Sequence, residues 1–429
     1  MRKTNTKLRN LVIYQIFTRN YSEAGDFKAI IDDLNRIKAL GVDMIYLLPI
    51  HPIGENNKKG GLGCPYSIKD YDTVRDELGG LEGFKQLIEI AHSKKIKVMM
   101  DIVFNHTSRD SKLLAEHPEW FYRNEKNVIA NRVGDWWDVY DLDYSADKNL
   151  WFELLNVLVS YARLGVDGYR CDVASMVPLD FWDLARKQVR KINPKFIWLS
   201  ESVHGEHCKN MRDQGFSCAS ESEIYQVFDM AYDYDIEPQM RSYLKGESSL
   251  KPYLEGLKRQ EEIYPENYVK MHNLENHDID RIAKAVNNNY EKILNWTAFL
   301  FLQKGATMLY MGQEFSSDVK PSLFDKELFN KNIDISDFIA NLAKLKKRKI
   351  FANGIYNVHI PEIDGVAYQS FANDVEEYHG IFNLGQTEGE LKIDIKDGKY
   401  RNYLTDKYVK VVDGLIKLQK DPIIIKIKK

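Results

Sequence analysis

Apolar and polar positions follow two different periods along most of this chain. Short apolar runs, which predict strands, recur between longer segments whose apolar residues follow the helical period. Eight such runs lie before residue 351, at 11–17, 44–50, 97–105, 168–173, 196–202, 224–230, 268–274 and 307–312. Eight strands with helices between them predict an α/β protein built on a closed (β/α)8 TIM barrel, whereas five or six strands would favour an open sheet.

The pattern also predicts helices, at 27–41, 81–95, 149–165, 181–194 and 289–305, and several of these end at Gly or Asn-Pro. Residues 107–145 have no clean period and are too many for an ordinary strand-to-helix loop, so we expect a short inserted subdomain after strand 3. After about Phe351, short alternating runs at 365–371, 378–384, 390–396 and 422–428 predict a C-terminal, sandwich-like antiparallel β domain. The predicted domains are therefore the barrel (1–106 and 146–350), the subdomain (107–145) and the β domain (351–429).

The stretch GYRCDV, 168–173, carries charges where a barrel strand would normally be apolar. Alternation along the strand places Gly168, Arg170 and Asp172 on one face and turns Cys171 toward the helices. Because active sites of such barrels lie at the C-terminal ends of the strands, Arg170 and Asp172 are expected at the mouth. A structural ion pair is the alternative for this segment taken alone.

Three other predicted strands also end in acids or histidines, namely Asp101 to His106, Glu201, and Asn276 to Asp278. Each could be a helix cap or loop residue, but four such ends at one rim indicate a site. Several carboxyls with an arginine and histidines suit glycoside hydrolysis, which needs one ionised and one protonated carboxyl.

In that chemistry each of the three carboxyls has an expected part. Arg170 is expected to lower the pKa of Asp172 and keep it ionised as the nucleophile. Glu201 follows an apolar run whose surroundings would favour the protonated acid. Asp278 would be a third carboxylate that steadies the oxocarbenium-like charge.

The chain resembles the alpha-amylase family, glycoside hydrolase family 13, over essentially its whole length. The motifs appear in order as DIVFNH (101–106), GYRCDVA (168–174), the strand end at Glu201 and ENHD (275–278), with PYSIKDY (65–71) upstream. The resemblance implies that Asp172 is the nucleophile, Glu201 the acid/base and Asp278 the transition-state stabiliser. It also implies that the sugar in subsite −1 is held by Tyr66, His106, Arg170 and His277, with Asp101 supporting Arg170.

The sequence departs from the family pattern just after the expected nucleophile. Calcium-binding members typically carry a Lys-His pair there, where this chain has Ala174, Ser175 and Met176. Asn105 matches one calcium-ligand position, although a hydrogen bond across the domain junction is an equal alternative. The chemistry is expected to need no cofactor, and calcium is left open. The fragment HGEH (204–207) lacks the HExxH spacing of a zinc site and is expected to form a loop and a helix start.

Composition excludes several classes of function. The net charge of −3 gives no basic footprint for nucleic acid, and no apolar stretch is long enough to span a membrane. The N-terminal apolar run contains Gln15 and predicts a first strand rather than a signal peptide. The four cysteines form no metal-binding or redox motif. So few cysteines in a long chain suit a reducing compartment, and we therefore expect a cytoplasmic protein.

The expected function is a retaining hydrolase of α-glucosidic, mainly α-1,4, bonds in maltooligosaccharides, starch or glycogen. An α-glucan transglycosidase, an α-glucosidase or an isomerase would share the barrel and nucleophile and differ in subsite shape and water access. A non-catalytic carbohydrate-binding or partner subunit would be expected to lack one of the three acids, and all three are present.

Overall fold

The computed structural model describes residues 4–429, and its largest part is a closed barrel of eight parallel strands. The barrel strands are β1 (Val12–Ile16), β2 (Met44–Leu47), β3 (Lys97–Ile102), β6 (Gly168–Cys171), β7 (Ile197–Ser200), β8 (Met230–Tyr232), β9 (Lys270–His272) and β10 (Gly305–Tyr310). They pair in this order, and β10 returns to β1 with Gln15 opposite Tyr310. The predicted TIM barrel is confirmed.

A small hairpin lies between β3 and β6. It consists of β4 (His106–Ser108) and β5 (Val139–Asp141), which pair antiparallel with His106 opposite Asp141. A short helix, α3 (Lys112–Glu116), lies between them. His106 therefore belongs to the first strand of the insertion, four residues beyond the end of β3.

The helices follow the strands around the outside of the barrel. They are α1 (Phe27–Ala39), α2 (Gly80–Ser93), α4 (Lys148–Leu164), α5 (Leu179–Ile192), α6 (Gly205–Asp213), α7 (Glu221–Ile224), α8 (Glu237–Leu244), α9 (Lys251–Ile263), α10 (Ile282–Ala285), α11 (Tyr290–Leu302), α12 (Ser336–Lys346) and α13 (Ile350–Asn353). Asp26 and Asp147 cap α1 and α4 by accepting backbone N–H bonds, and α4 ends at Gly165 with a φ of 106°. Within residues 4–429, none of the helices has the length and apolar character needed to cross a membrane.

The predicted strand at 224–230 is wrong. Ser220 and Glu223 form a capping box that starts the single-turn helix α7, which ends at Ile224. The following apolar residues, including Val227 and Phe228, are buried in an irregular segment. The sixth barrel strand begins at Met230, so the count of eight strands was right although this position was not.

The barrel interior and the helix layer have separate cores. Inward residues such as Ile13, Met99, Leu199 and Met308 fill the barrel. Tyr169 and Cys171 of β6 belong to the outer cluster that packs under the helices, as alternation predicts. Arg170, between them, is fully buried on the inward face.

The C-terminal part is a sandwich of two antiparallel sheets. One sheet has the order β11 (Ile355–His359), β12 (Val366–Ala372), β13 (Glu376–Asn383), β18 (Ile423–Lys428). The other has the order β14 (Glu390–Lys392), β17 (Leu415–Lys417), β16 (Tyr408–Val412), β15 (Gly398–Arg401). Phe371, Tyr378 and Phe382 extend the apolar cluster of the barrel helices, which attaches the sandwich to the barrel. The predicted C-terminal β domain is thus confirmed.

Candidate active site

Arg170 lies at the centre of a carboxyl cluster at the C-terminal mouth of the barrel. Its Nη1 lies 2.8 Å from Asp101 Oδ1 and 2.8 Å from Asp172 Oδ1, and its Nη2 lies 2.5 Å from Glu201 Oε1. The strand register explains this arrangement, because Asp101 is the β3 partner of Arg170 and β6 pairs with β7. Asp172 and Glu201 each lie one residue beyond the end of a strand. Because these strands are neighbours, both side chains contact the same guanidinium.

Val173 holds the carboxyl of Glu201 from the other side. It adopts a left-handed conformation, with φ 42° and ψ 40°, which costs a non-glycine residue roughly 1–2 kcal/mol. In this conformation its N–H donates to Glu201 Oε2 at 2.9 Å. The N–H of Ala174 donates to the Glu201 carbonyl at 3.0 Å. The strained turn after Asp172 therefore fixes the position of Glu201.

The expected low pKa of Asp172 was wrong. Burial raises the pKa of Asp172 well above its ordinary value; Arg170 lowers it, and Glu201 and Asp101 raise it further. Arg170 does not keep the pKa of Asp172 low, because its guanidinium is shared among three carboxyls. Glu201 contacts Arg170 and accepts the N–H of Val173. Since both carboxyls contact one guanidinium, their protonation is a property of the pair.

His277 connects the first barrel strand to this cluster. Gln15 Nε2 lies 3.0 Å from His277 Nδ1, whereas the Tyr66 hydroxyl lies 2.7 Å from Nε2. Because an amide nitrogen donates, Nδ1 accepts and the ring proton is on Nε2. The Tyr66 ring stacks on His277 with centroids 5.3 Å apart, and its hydroxyl donates to Asp101 Oδ2 at 2.9 Å. Gln15 thus fixes the tautomer of His277.

Asp278 is the most exposed of the predicted carboxyls, with 48% of its side chain accessible. Its Oδ2 lies 3.0 Å from His277 Nε2. Burial acts to raise the pKa of Asp278, but His277, with smaller contributions from Arg170 and Lys320, lowers it to about 2. Asp278 is therefore ionised at neutral pH, at the mouth of the site.

His106 and Asn105 lie where the insertion meets the barrel. Burial lowers the pKa of His106 to about 4, so its ring is neutral above that pH. The ring lies 5.2 Å from that of Trp136, and Asn105 Nδ2 lies 3.1 Å from His106 Nδ1. The Asn105 carbonyl accepts the N–H of Leu142. The backbone of Asn105 is thus hydrogen-bonded across the junction, and its side-chain amide contacts the adjacent His106.

A cavity of about 240 Å³ brings most of the predicted site residues together, namely Tyr66, His106, Asp172, Glu201, His277 and Asp278. Asp101 and Arg170 contact these residues and are buried.

The sequence did not indicate five further residues of the site, namely Gln15, Tyr46, Lys59, Val173 and Phe324. Gln15 had a signal, since it is a polar residue in an apolar run. Tyr46, whose hydroxyl donates to Asp101 Oδ2 at 2.6 Å, is on an inward position of β2.

The fragment HGEH lies beside this site. His204 stacks on Tyr234, with ring centroids 5.0 Å apart, and α6 begins at Gly205, as expected for a loop and helix start. Across residues 4–429, no group of three or more His, Cys, Asp or Glu side chains is arranged to hold a metal ion.

The barrel, the carboxyl cluster on Arg170, the insertion after β3 and the C-terminal sandwich together define a class of (β/α)8 protein with an acidic site at its mouth. Residues 13–352 match the model of the alpha-amylase catalytic domain, and residues 357–425 match the model of the bacterial alpha-amylase C-terminal domain. The chain therefore belongs to the alpha-amylase family, which confirms the resemblance seen in the motifs.

Two solved structures resemble the chain over its whole length. An alpha-amylase from Lactobacillus plantarum is 42% identical, with a TM-score of 0.95 and coverage of 99% of this chain and 100% of that one. A noncanonic maltogenic alpha-amylase from Thermotoga neapolitana is 31% identical, with a TM-score of 0.87 and coverage of 99% and 100%.

Among curated proteins, an alpha-1,4-glucan:maltose-1-phosphate maltosyltransferase from Picrophilus torridus is 30% identical over 249 residues. This match covers 52% of the chain and 39% of the relative. The chain spans less than half the length of the first curated relatives it matches.

Proposed function

We propose that this protein is a retaining glycoside hydrolase that cleaves α-glucosidic, mainly α-1,4, bonds in maltooligosaccharides, starch or glycogen. The observation that carries the proposal is the single guanidinium that contacts both Asp172 and Glu201. Retaining hydrolysis needs a nucleophile and an acid about 5–5.5 Å apart, and a shared arginine keeps two carboxyls close. The similarity to the alpha-amylase from L. plantarum supports the substrate class.

The proposed reaction has two steps. Asp172 attacks the anomeric carbon while Glu201 protonates the leaving oxygen, which leaves a covalent glycosyl-enzyme on Asp172. Glu201 then takes a proton from water, the water oxygen attacks the anomeric carbon, and the Asp172 carboxylate leaves with the bonding electrons. Asp278, ionised and at the mouth, stabilises the oxocarbenium-like charge in both steps.

The proton of the carboxyl pair must be on Glu201 when the first step begins. Arg170 contacts both carboxyls, at 2.8 Å from Asp172 and 2.5 Å from Glu201, so it stabilises the negative charge that remains on the pair after one proton is bound. Tyr66, His106 and His277 line the cavity around the same position, and they are proposed to hold the sugar ring of subsite −1. Asp101 orients Arg170 through two contacts to Nη1.

A second candidate is an α-glucan transglycosidase. The similarity to a maltosyltransferase favours it. In that reaction the same glycosyl-enzyme is attacked by a sugar hydroxyl in place of water, so the products carry added glucose units. An α-glucosidase or isomerase would differ in product size or in the bond that is re-formed.

The proposal includes no metal in the chemistry, because the carboxyls carry both steps. Asn105, which matches a calcium-ligand position, is engaged with His106 and Leu142. The substrate is the only partner proposed. All four cysteines are free thiols, which suits a reducing compartment such as the cytoplasm.

The test follows the anomeric form of the first products by proton NMR, using maltooligosaccharides, starch, isomaltose, sucrose and trehalose as substrates. We expect α-anomers from α-1,4-linked substrates, and Asp172→Asn should lower kcat by at least about a thousandfold with the fold intact. A β-anomeric first product would contradict retention, and near-normal activity of Asp172→Asn would remove it as the nucleophile. Products longer than the substrate would identify the transglycosidase.

A further inference from the structure

One side of the catalytic cavity is closed by three segments that bond to one another. They are residues 59–64 after β2, residues 322–326 after β10 and residues 135–138 of the insertion, and together we call them the wall. Lys59, Leu323 and Phe324 of the wall line the cavity directly. None of these residues belongs to the motifs of the barrel strands.

The two barrel loops of the wall are joined by hydrogen bonds. The N–H of Leu62 donates to the Phe324 carbonyl at 2.9 Å, and that of Gly61 to Asp325 Oδ1 at 2.8 Å. Gly60 makes the close approach feasible, because a Cβ there would lie 2.5 Å from the Phe324 Cβ. Arg19, which is buried, donates to the Leu323 carbonyl at 2.6 Å.

Lys59 joins these loops to the insertion. Its Nζ lies 3.0 Å from Asp138 Oδ1, donates to the Asp135 carbonyl at 3.2 Å and lies 4.5 Å from the ring centroid of Trp137. Asp138 is buried, with 4% of its side chain accessible. Removing one partner of a largely desolvated ion pair is costly, so this contact fixes the wall in place.

The position of the wall in the barrel indicates which part of the substrate it meets. Glu201 follows β7, whereas two wall segments follow β2 and β10, the neighbours of β1 on the opposite side of the barrel. The acid protonates the leaving oxygen, so the leaving group lies beside Glu201. The wall therefore faces the glycone, the part of the chain that stays on Asp172.

We propose that the wall ends the glycone side of the site, so that the enzyme removes one or two glucose units from the non-reducing end of maltooligosaccharides. The cavity of about 240 Å³ lies below the roughly 300–1,000 Å³ that buries a drug-sized ligand, which suits one or two sugar rings. Lys59 is the specificity-determining residue, because it lines the cavity and joins the loop after β2 to the insertion. This inference rests on the proposed glycosidase activity.

The test compares 4-nitrophenyl α-maltoheptaoside with the same substrate blocked at its non-reducing end by a 4,6-O-ethylidene group. The wild type should cleave the free substrate at least about tenfold faster than the blocked one, with glucose or maltose released first. Lys59→Ala should raise the blocked-to-free ratio at least about threefold, and Lys59→Met, which keeps the stem, should raise it less. Lys58→Ala is the matched control, because Lys58 pairs with exposed Glu55 and should leave the ratio unchanged.

Each outcome decides between the two proposals. Equal wild-type cleavage of both substrates at internal bonds would overturn the wall proposal and leave the glycosidase intact. Failure to cleave either substrate would overturn the glycosidase and the wall proposal together. A folded Lys59→Ala protein with the wild-type ratio would overturn the assignment to Lys59. Should this variant not fold, the wild-type ratio and Phe324→Ala, which opens the same wall, decide the question.

Discussion

Replacing Asp101 with Asn removes one of the three carboxyl charges that share Arg170 and keeps the shape of the side chain. Asp101 is completely buried at the end of β3. It accepts hydrogen bonds from Arg170 and from the hydroxyls of Tyr46 and Tyr66. It therefore acts on the reaction through Arg170, as a positioning residue.

The size of the effect follows from the geometry. Asp101 Oδ1 and Asp172 Oδ1 each lie 2.8 Å from Arg170 Nη1, so the two oxygens are at most twice that distance apart. Two unit charges about 5 Å apart interact by about 3 kcal/mol at an effective dielectric constant near 20, which corresponds to about two pH units. Loss of this repulsion lowers the pKa of Asp172. The acidic limb of kcat/KM in Asp101→Asn should therefore move to lower pH by about that amount.

The assay measures kcat/KM between about pH 4 and 8, together with unfolding in urea, because the variant should also lose roughly 3 kcal/mol of stability. Asp229→Asn is the matched control, since Asp229 accepts two bonds from Arg186, at 2.7 and 2.8 Å, in a buried pair near the start of β8. Asp229→Asn should lose stability, but the acidic limb of its kcat/KM profile should stay at the wild-type pH. An Asp101→Asn limb that stays in place or moves upward would refute the reasoning and leave Asp101 a purely structural role.

Three further predictions concern other parts of the molecule. Gln15→Leu removes the donor to His277 Nδ1 and should lower kcat about tenfold, whereas unchanged steady-state kinetics would contradict a role in fixing the tautomer. Burial lowers the pKa of Lys346 to about 7, so the unfolded chain binds more protons between pH 7 and about 10.4, and stability should rise with pH across that window. Lys346→Met should remove this rise and be roughly 2–4 kcal/mol more stable at pH 7 in urea unfolding; a rise that persists would contradict it. Chelation with EDTA should leave activity within about twofold because no group of three or more His, Cys, Asp or Glu side chains within residues 4–429 is arranged to hold a metal ion; loss that calcium restores would contradict this.

The barrel and most of the candidate site were predictable because strand alternation and strand ends are local properties. Arg170 points inward for the same reason that Cys171 points outward, and both follow from GYRCDV. The strand placed at 224–230 failed because a short apolar run suits a strand or a buried loop equally well. The capping box of Ser220 and Glu223 decides the outcome, and it lies just before that run.

Properties that depend on several elements could not be predicted in the same way. The pKa of Asp172 is set by burial and by Glu201 and Asp101 from neighbouring strands, in addition to the adjacent Arg170. Lys59 had no local signal, because its partner Asp138 is far along the chain and approaches it only when the insertion folds over the barrel. The local sequence therefore indicated which residues meet at the strand ends, but neither how their charges are shared nor which distant loops come into contact.

The bond between Gln15 and His277 has a consequence for how this protein folds. The two residues are 262 positions apart, and they meet only when β1 has paired with β10 and the ring of strands is complete. Helices form early from local contacts, whereas pairings between distant segments form slowly because long loops must close first. Recovery of turnover after dilution from denaturant should therefore lag behind recovery of helical circular dichroism. Turnover would then report the last topological event of folding, which helix content does not detect.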